Sequence, residues 1–453
     1  MCITRRSFLG TTMSAALYSR VLGSNDRVQV GFIGYGLIGR QHVHDFKQQP
    51  DVDLAALCEV HQGRLQQGLA DCGTRAKGYG DFRKLLDDRN IQAVVISTPD
   101  HWHGLMTIMA CAAGKDVYVE KPMTLFVREG RWMVKAARRY QRVVQAGTQQ
   151  RSGAHYQHAL GLLRGGDIGK ILSVRMGSFR NVLPGFGSPP DSDPPPGLDY
   201  EMWLGPAPRR PYNPNRSLYH FRWFWDYSGG QMTNLGAHEI DVIHWITQAE
   251  APGAVCSSGG RLALEDNGET PDTQDALFEY PGFTAVWSHR EASFGRGLGE
   301  GLQFYGTKGS MTLARSGFEI FPEMKVDPAN EIPQFLGHPV GGPVRRTSVK
   351  PSPWIESKKE RVSNDLLASH VRNFIDCVKS RERPAADVET GHRTATACHL
   401  ANISLRLGRK LRWDAEKEDI LDDPEASARL VRPYRAPWDR VLEELKLKSD
   451  NAI

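Results

Sequence analysis

The 453-residue chain lacks a convincing transmembrane anchor, since its mildly apolar N-terminal run, Thr11 to Tyr18, is far shorter than the ~20 residues a membrane span needs. It also lacks an excess of charge of one sign. Lys and Arg total 57 against 52 Asp and Glu, a formal charge of +5 at pH 7, and no basic run with interleaved aromatics occurs, which argues against nucleic acid as a partner. Cysteine is scarce, seven in all. Apart from Cys2 they are Cys58, Cys72, Cys111, Cys256, Cys377 and Cys398, scattered without C-x-x-C spacing and several within apolar runs, so buried free thiols are expected rather than a disulfide framework. No internal repeat is apparent. What the chain does have, 40% hydrophobic and 24% charged residues, describes a soluble globular protein, and its length implies two domains.

The organising stretch is Val28 to Gly39, VQVGFIGYGLIG, in which an alternating apolar strand runs directly into a glycine-rich turn. Gly34, Gly36 and Gly39 form a full G-x-G-x-x-G around Tyr35, Leu37 and Ile38. The first glycine allows the tight turn, the second admits a pyrophosphate close to the backbone, and the third lets the following helix pack on the strand. The pyrophosphate then lies at a helix N-terminus, where free N–H groups and the helix dipole favour negative charge. A second apolar run, Asp53 to Cys58, ends in Glu59, placed to accept from both ribose hydroxyls. These residues together indicate a dinucleotide site, and Glu59 favours NAD.

Strand and helix patterns alternate through Gly147, which specifies a parallel doubly wound sheet, a Rossmann domain. Two of its strands end in chemistry. Ile96-Ser-Thr98-Pro99 runs into Asp100-His101-Trp102-His103, and Val119 is followed by Glu120-Lys121-Pro122; both lie at carboxyl ends of strands, where ligands bind in open α/β sheets. T-P-x-H-x-H followed by A-G-K-x-V-x-x-E-K-P resembles the Gfo/Idh/MocA oxidoreductases, and the likeness covers nearly the whole mature chain. It implies that Lys121 is the catalytic group beside the nicotinamide, that Lys121–Pro122 is a cis peptide, and that Thr98, Pro99 and Glu120 help form the cofactor site. A lysine beside the positive nicotinamide ring has its pKa lowered and can serve as a base near neutral pH. No third ligand accompanies the His101 and His103 pair, so His103 is assigned to the nicotinamide pocket and His101 to the helix start rather than to a metal.

The second domain opens with Arg151 to His155 and a helix to Leu163, followed by the strand Ile171 to Phe179. The family places a large, mostly antiparallel sheet here, one face over the cofactor and the other in a subunit interface, implying a homo-oligomer. Strand-like runs at Ala276 to Tyr280, Thr284 to Ser288, Leu302 to Tyr305 and Ser310 to Leu313 fit that arrangement. Pro184 to Pro214 reads as a stiff excursion over the surface. It delivers the aromatic segment His220 to Gly230, whose Arg222 and Trp223, with Arg151, are candidates to bind a sugar. Gly229 to Asp241 then resembles the family's G-G-x-x-x-D-x-G-x-H segment. His238 matches, but the aspartate position holds Asn234, which can orient a hydroxyl yet cannot take a proton, leaving acid-base work to Lys121 and His238. His238, Asp241 and His244 drift around their helix and are not assigned as a metal site. Arg290 to Lys359 reads as long loops, Asn364 to Ser380 and Gly391 to Arg406 as helices, and Arg432 to Trp438 as an arm packing on the body or on another subunit.

Ahead of all this, Thr4-Arg5-Arg6-Ser7-Phe8-Leu9 looks like a twin-arginine export signal. The expected organisation is therefore a signal at 1–24, an NAD-binding Rossmann domain at 25–148 and a substrate-binding α+β domain at 149–453, in a periplasmic or otherwise exported enzyme. The favoured activity is NAD-dependent oxidation of a sugar or cyclitol hydroxyl. The alternative is a redox-neutral NAD-dependent glycosidase that oxidises, eliminates, adds water and re-reduces; a third is a non-catalytic sugar- or NAD-binding protein.

Overall fold

The computed structural model describes residues 27–295, 301–325, 334–335, 338–339, 352–362 and 365–447; the segment with Arg5 and Arg6 lies outside them. The N-terminal half alternates strand and helix: β1 (Val28–Ile33), α1 (Leu37–Lys47), β2 (Val52–Cys58), α2 (Gln62–Cys72), β3 (Lys77–Tyr79), α3 (Phe82–Asp87), β4 (Ala93–Ile96), α4 (Asp100–Ala112), β5 (Asp116–Val119), α5 (Val127–Arg139) and β6 (Val144–Ala146). The six strands form one parallel sheet in the order β3-β2-β1-β4-β5-β6. Every residue of β4 and β5 is buried, because helices cover both faces of such a sheet and no polar side remains. The order reverses between β1 and β4, which opens a crevice at the carboxyl ends of those strands.

The C-terminal half contributes α6 (Ala154–Arg164), β7 (Ile171–Phe179), α7 (Tyr200–Leu204), α8 (Ala237–Thr247), β8 (Ala254–Gly260), β9 (Thr273–Tyr280), β10 (Phe283–Arg290), β11 (Leu302–Gly306), β12 (Gly309–Ala314), β13 (Gly317–Pro322), α9 (Leu366–Ser380) and α10 (Val388–Leu407). Its ten-stranded sheet runs from strand Lys358–Arg361 through β13-β12-β11-β7-β10-β9-β8 to strands Leu411–Asp414 and Asp419–Ile420. Only the β7–β10 neighbours are parallel among the pairs described. One face carries the core, in which Phe278, Trp287 and Phe304 pack with Ile240 and Ile243 of α8 and Leu400 of α10. The other exposes Leu172, Leu277, Tyr305 and Phe321.

The structure refines three of the sequence expectations. β11 and β12 form at the runs expected as strands, Leu302 to Tyr305 and Ser310 to Leu313, and β13 pairs antiparallel with β12 where long loops were expected. The C-terminal elements return to the first half: Val371, Phe374 and Ile375 of α9 join Val30, Phe32 and Phe46. Trp438 of the arm stacks on Phe82 with centroids 6.0 Å apart and meets Trp102 edge-on, so the arm packs on its own body. Finally, the proline-rich stretch runs over the surface as expected, largely exposed from 184 to 199, but it is tethered. Gln62 N–H donates to Gly197 O at 2.8 Å and Asp199 N–H to Val60 O at 2.9 Å, which ties it down as a strap beside the crevice.

Candidate active site

The glycine-rich turn shows three different reasons for glycine. Gly34 has φ +93°, and a Cβ there would lie 2.8 Å from Ser97 O. A Cβ on Gly39 would lie 2.3 Å from Gly34 O, the close helix–strand approach that the third glycine permits. At Gly36 a Cβ would meet nothing within 4 Å, because this position faces the open crevice at the N-terminus of α1. That cradle and the exposed helix N–H groups fit a pyrophosphate. Gly34, Gly36, Leu37, Ile38, Glu59, Thr98 and Pro99 all line the crevice, whereas Gly39 acts through packing. The Glu59 carboxylate accepts from Tyr35 N–H at 2.7 Å and His61 N–H at 2.9 Å, which fixes it on the crevice wall. Arg64 lines the wall too. With Glu59 held closer to the turn by two backbone donors, NAD is expected to bind at least about tenfold more tightly than NADP; equal or reversed affinities in a fluorescence titration would remove Glu59 from the ribose.

Opposite the turn, the strap supplies Leu198, Met202, Trp203, Leu218, Tyr219, Phe221 and Arg222 to the crevice. Its shape is held by an aromatic cluster of Trp203, Phe221, Trp223, Phe224 and Tyr227. The Arg222 guanidinium lies over the Tyr219 and Phe221 rings, at 4.9 and 4.6 Å from their centroids, a placement that leaves its charge facing ligand space at little cost.

Lys121 follows β5, joined to Pro122 by a cis peptide. Its Nζ donates to Asn234 Oδ1 and to Asn234 O, both at 2.9 Å. Asn234 reaches it from a π-helical turn, Met232–Gly236, immediately before α8, and its Nδ2 donates to Gln231 Oε1 at 3.0 Å. Burial, with the positive charges of Arg222 and Arg315 and against Glu120 and Asp100, brings the Lys121 ammonium down to about 8. The lysine thus meets the requirement for a base near neutral pH, through desolvation in the protein itself. His238 is buried nearby, with Nδ1 unpartnered. Burial and the Lys121 charge hold its imidazole well below the usual range, so it stands uncharged beside the protonated lysine.

Four expected residues are placed elsewhere. Arg151 is buried and its Nε donates to Asp241 Oδ2 at 2.8 Å; a guanidinium committed to a buried carboxylate is not free for substrate. Trp223 belongs to the strap's core, with Arg180 over its ring at 5.0 Å. His103 is buried between Pro122 O at 2.7 Å and Thr98 O at 2.9 Å and braces the two strand-end loops instead of lining the crevice. Glu120 also turns away, its carboxylate 2.7 Å from His42 Nε2 and accepting from Lys121 N–H at 3.1 Å. The structure adds groups the sequence did not single out. Arg315, on the β12–β13 turn, reaches Lys121, His238 and Glu239 electrostatically. Asp100 accepts from the Ser228 hydroxyl, and burial raises the Glu239 carboxyl to about 7. None of these carries a local signal, since each depends on chain returning from far away.

A nucleotide-cradling turn at a Rossmann switch point, with a lysine whose proton is easily lost at the carboxyl end of another strand of the same sheet, has the parts of an oxidoreductase site. The chain belongs to the Gfo/Idh/MocA oxidoreductase family. Residues 28–148 match the family's NAD-binding Rossmann fold, and residues 185–256 and 352–440 match the C-terminal alpha/beta domain of the same oxidoreductases; the protein is thus an NAD-dependent oxidoreductase. It is 24% identical to the myo-inositol 2-dehydrogenase of Thermotoga maritima over 391 residues, 85% of this chain and 99% of that protein. It is 34% identical to a glycosyl hydrolase family 109 protein of a Shewanella species, over 32% of this chain and 34% of that one. Its fold is similar to that of the WlbA dehydrogenase from Bordetella pertussis, solved with NADH and UDP-GlcNAcA, at a TM-score of 0.62 and 19% identity, covering 86% of this chain and 99% of that one.

Proposed function

We propose that the protein oxidises a hydroxyl of a sugar or cyclitol, with Lys121 as the base. The observation that carries this reading is the Lys121 amine, held by Asn234 at 2.9 Å and brought down to about 8, in a chain similar to a myo-inositol dehydrogenase over nearly its whole length. When bound, the dinucleotide supplies the hydride acceptor. Neutral Lys121 takes the hydroxyl proton, and Asn234 keeps the amine's position while its amide remains able to orient a second hydroxyl. His238, uncharged, serves as a hydrogen-bonding partner, and Arg222 bears on the sugar from the strap. For oxidation the base must be unprotonated, so kcat/KM is expected to rise with pH through about 8 and level off above it; a profile flat from pH 6 to 10 would remove Lys121 from proton transfer.

A second reading, the redox-neutral glycosidase, is favoured by the strap that covers the crevice. If the dinucleotide leaves only when the strap opens, re-reduction in place competes well with exchange. An exported enzyme, as Arg5 and Arg6 suggest, would also find little free NAD outside the membrane. NAD is therefore expected to remain bound in protein recovered from its native compartment. Denaturing that protein and assaying the nucleotide, then following products from a panel of free sugars, cyclitols and glycosides, separates the readings. Ketone with stoichiometric NADH means dehydrogenation; released aglycone without net NADH means the glycosidase; no product with bound nucleotide would overturn both.

A further inference from the structure

A second cavity, of about 290 Å³, lies where the end of α10 and residues 428–432 of the tail face Trp225 to Gly229, and it shares no lining residue with the dinucleotide crevice. Three arginines line it, Arg406 from the last turn of α10 with Arg429 and Arg432 from the tail. Among the described residues the only carboxylate in the lining, Asp226, already faces Arg210 at 2.5 Å. The Arg406 guanidinium lies over the Trp225 ring at 4.9 Å, and Arg432 donates to Trp225 O. Among the described residues neither has a carboxylate within ion-pair distance. Among these residues Arg429 has Glu425 alone, at a long 3.8 Å, and its buried Nε has no hydrogen-bond partner among them. Glu129, whose charge reaches Arg432, is raised to about 7 by burial and is engaged by the Tyr434 hydroxyl and Leu125 N–H.

Three guanidinium groups converging on a partly desolvated cavity repel one another and forgo hydration, so the arrangement is unfavourable unless something negative completes it. The complement of planar, multiply donating guanidinium groups is an anion with several oxygens. We infer that this cavity is an oxyanion site, filled by a phosphate or sulfate group held by Arg406, Arg429 and Arg432. Burial and mutual repulsion depress both Arg406 and Arg432 from the usual arginine value, as gathered like charges require. The site has a path to the chemistry. Trp225 to Gly229 forms one wall, Ser228 of that wall bonds Asp100 at the start of α4, and Gly229 O accepts from Asn402. The next residues lead into the turn that presents Asn234 to Lys121. An anion joining tail to wall would therefore steady the segment that holds the base.

The test is isothermal titration of the full-length, NAD-loaded protein with inorganic phosphate, sulfate and glucose 6-phosphate, each against chloride at matched ionic strength so that screening is constant. Saturable one-to-one binding is expected, weakened at least about tenfold in Arg406→Gln and in Arg432→Gln. Arg406 sits at an exposed helix end, so its variant retains the parent circular dichroism even if loss of Arg432 loosens the tail. Tighter binding of glucose 6-phosphate than of inorganic phosphate identifies an anionic sugar as the ligand, and the reverse identifies the free ion. Absence of saturable binding by all three probes, or binding unchanged in Arg406→Gln, overturns the site.

Discussion

Replacing Lys121 by alanine is expected to lower turnover by roughly 10²- to 10⁴-fold, the usual cost of removing a positioned general base, while leaving NAD affinity within about threefold because the dinucleotide is held by the glycine turn and Glu59. The amine's partners, Asn234 O and Oδ1, stay in place to organise the hydroxyls, so substrate affinity should change less than kcat. The variant also tests the electrostatics. In the parent, the folded-state value of about 8 lies below the ordinary 10.5, so between these two the unfolded chain binds more protons and stability rises with pH. Below about 8 both states carry the proton and the penalty for burying it is fully present. Lys121→Ala should abolish that rise, which pH-dependent melting would register. Activity within threefold of the parent, with the rise retained, would show that Lys121 is neither the base nor desolvated.

Gly36→Val is expected to cost on the order of 100-fold in NAD affinity while shifting the melting temperature little. The new Cβ would meet no protein atom within 4 Å and the residue has φ −82°, so the folded apoprotein tolerates it. The side chain instead occupies the space a pyrophosphate needs. Gly39→Val supplies the contrast, because its Cβ would lie 2.3 Å from Gly34 O and must push α1 off β1, lowering stability whether or not nucleotide is present. Calorimetry and nucleotide titration on both variants separate the two glycine roles; normal NAD binding by Gly36→Val would refute the assignment of the cradle.

Much of the first domain could be read from the chain because its signals are local. The strand Val28 to Ile33, the three glycines and Glu59 lie within about thirty residues of one another, and a β-turn-α unit is fixed by apolar alternation, turn sterics and helix dipole acting over that distance. Lys121 was equally legible, as its place at a strand end follows from the strand alone. Residues whose roles depend on partners were not. Arg151 looked available until Asp241, ninety positions on, claimed it, and Trp223 and His103 had the right chemistry for ligands but point into packed surroundings.

The sequence by itself determined the doubly wound sheet, the dinucleotide turn and the place of Lys121 at the carboxyl end of a strand, because each rests on short-range sterics and hydrogen bonding that survive any tertiary arrangement. The tertiary structure alone decided which charges remain unpaired and what is desolvated: it brought Asn234 onto the Lys121 amine, neutralised His238 by burial, folded the proline-rich strap over the crevice and gathered Arg406, Arg429 and Arg432 around one cavity. Those outcomes depend on Coulomb and solvation energies, which follow distance and burial in space and leave no periodic trace along the chain.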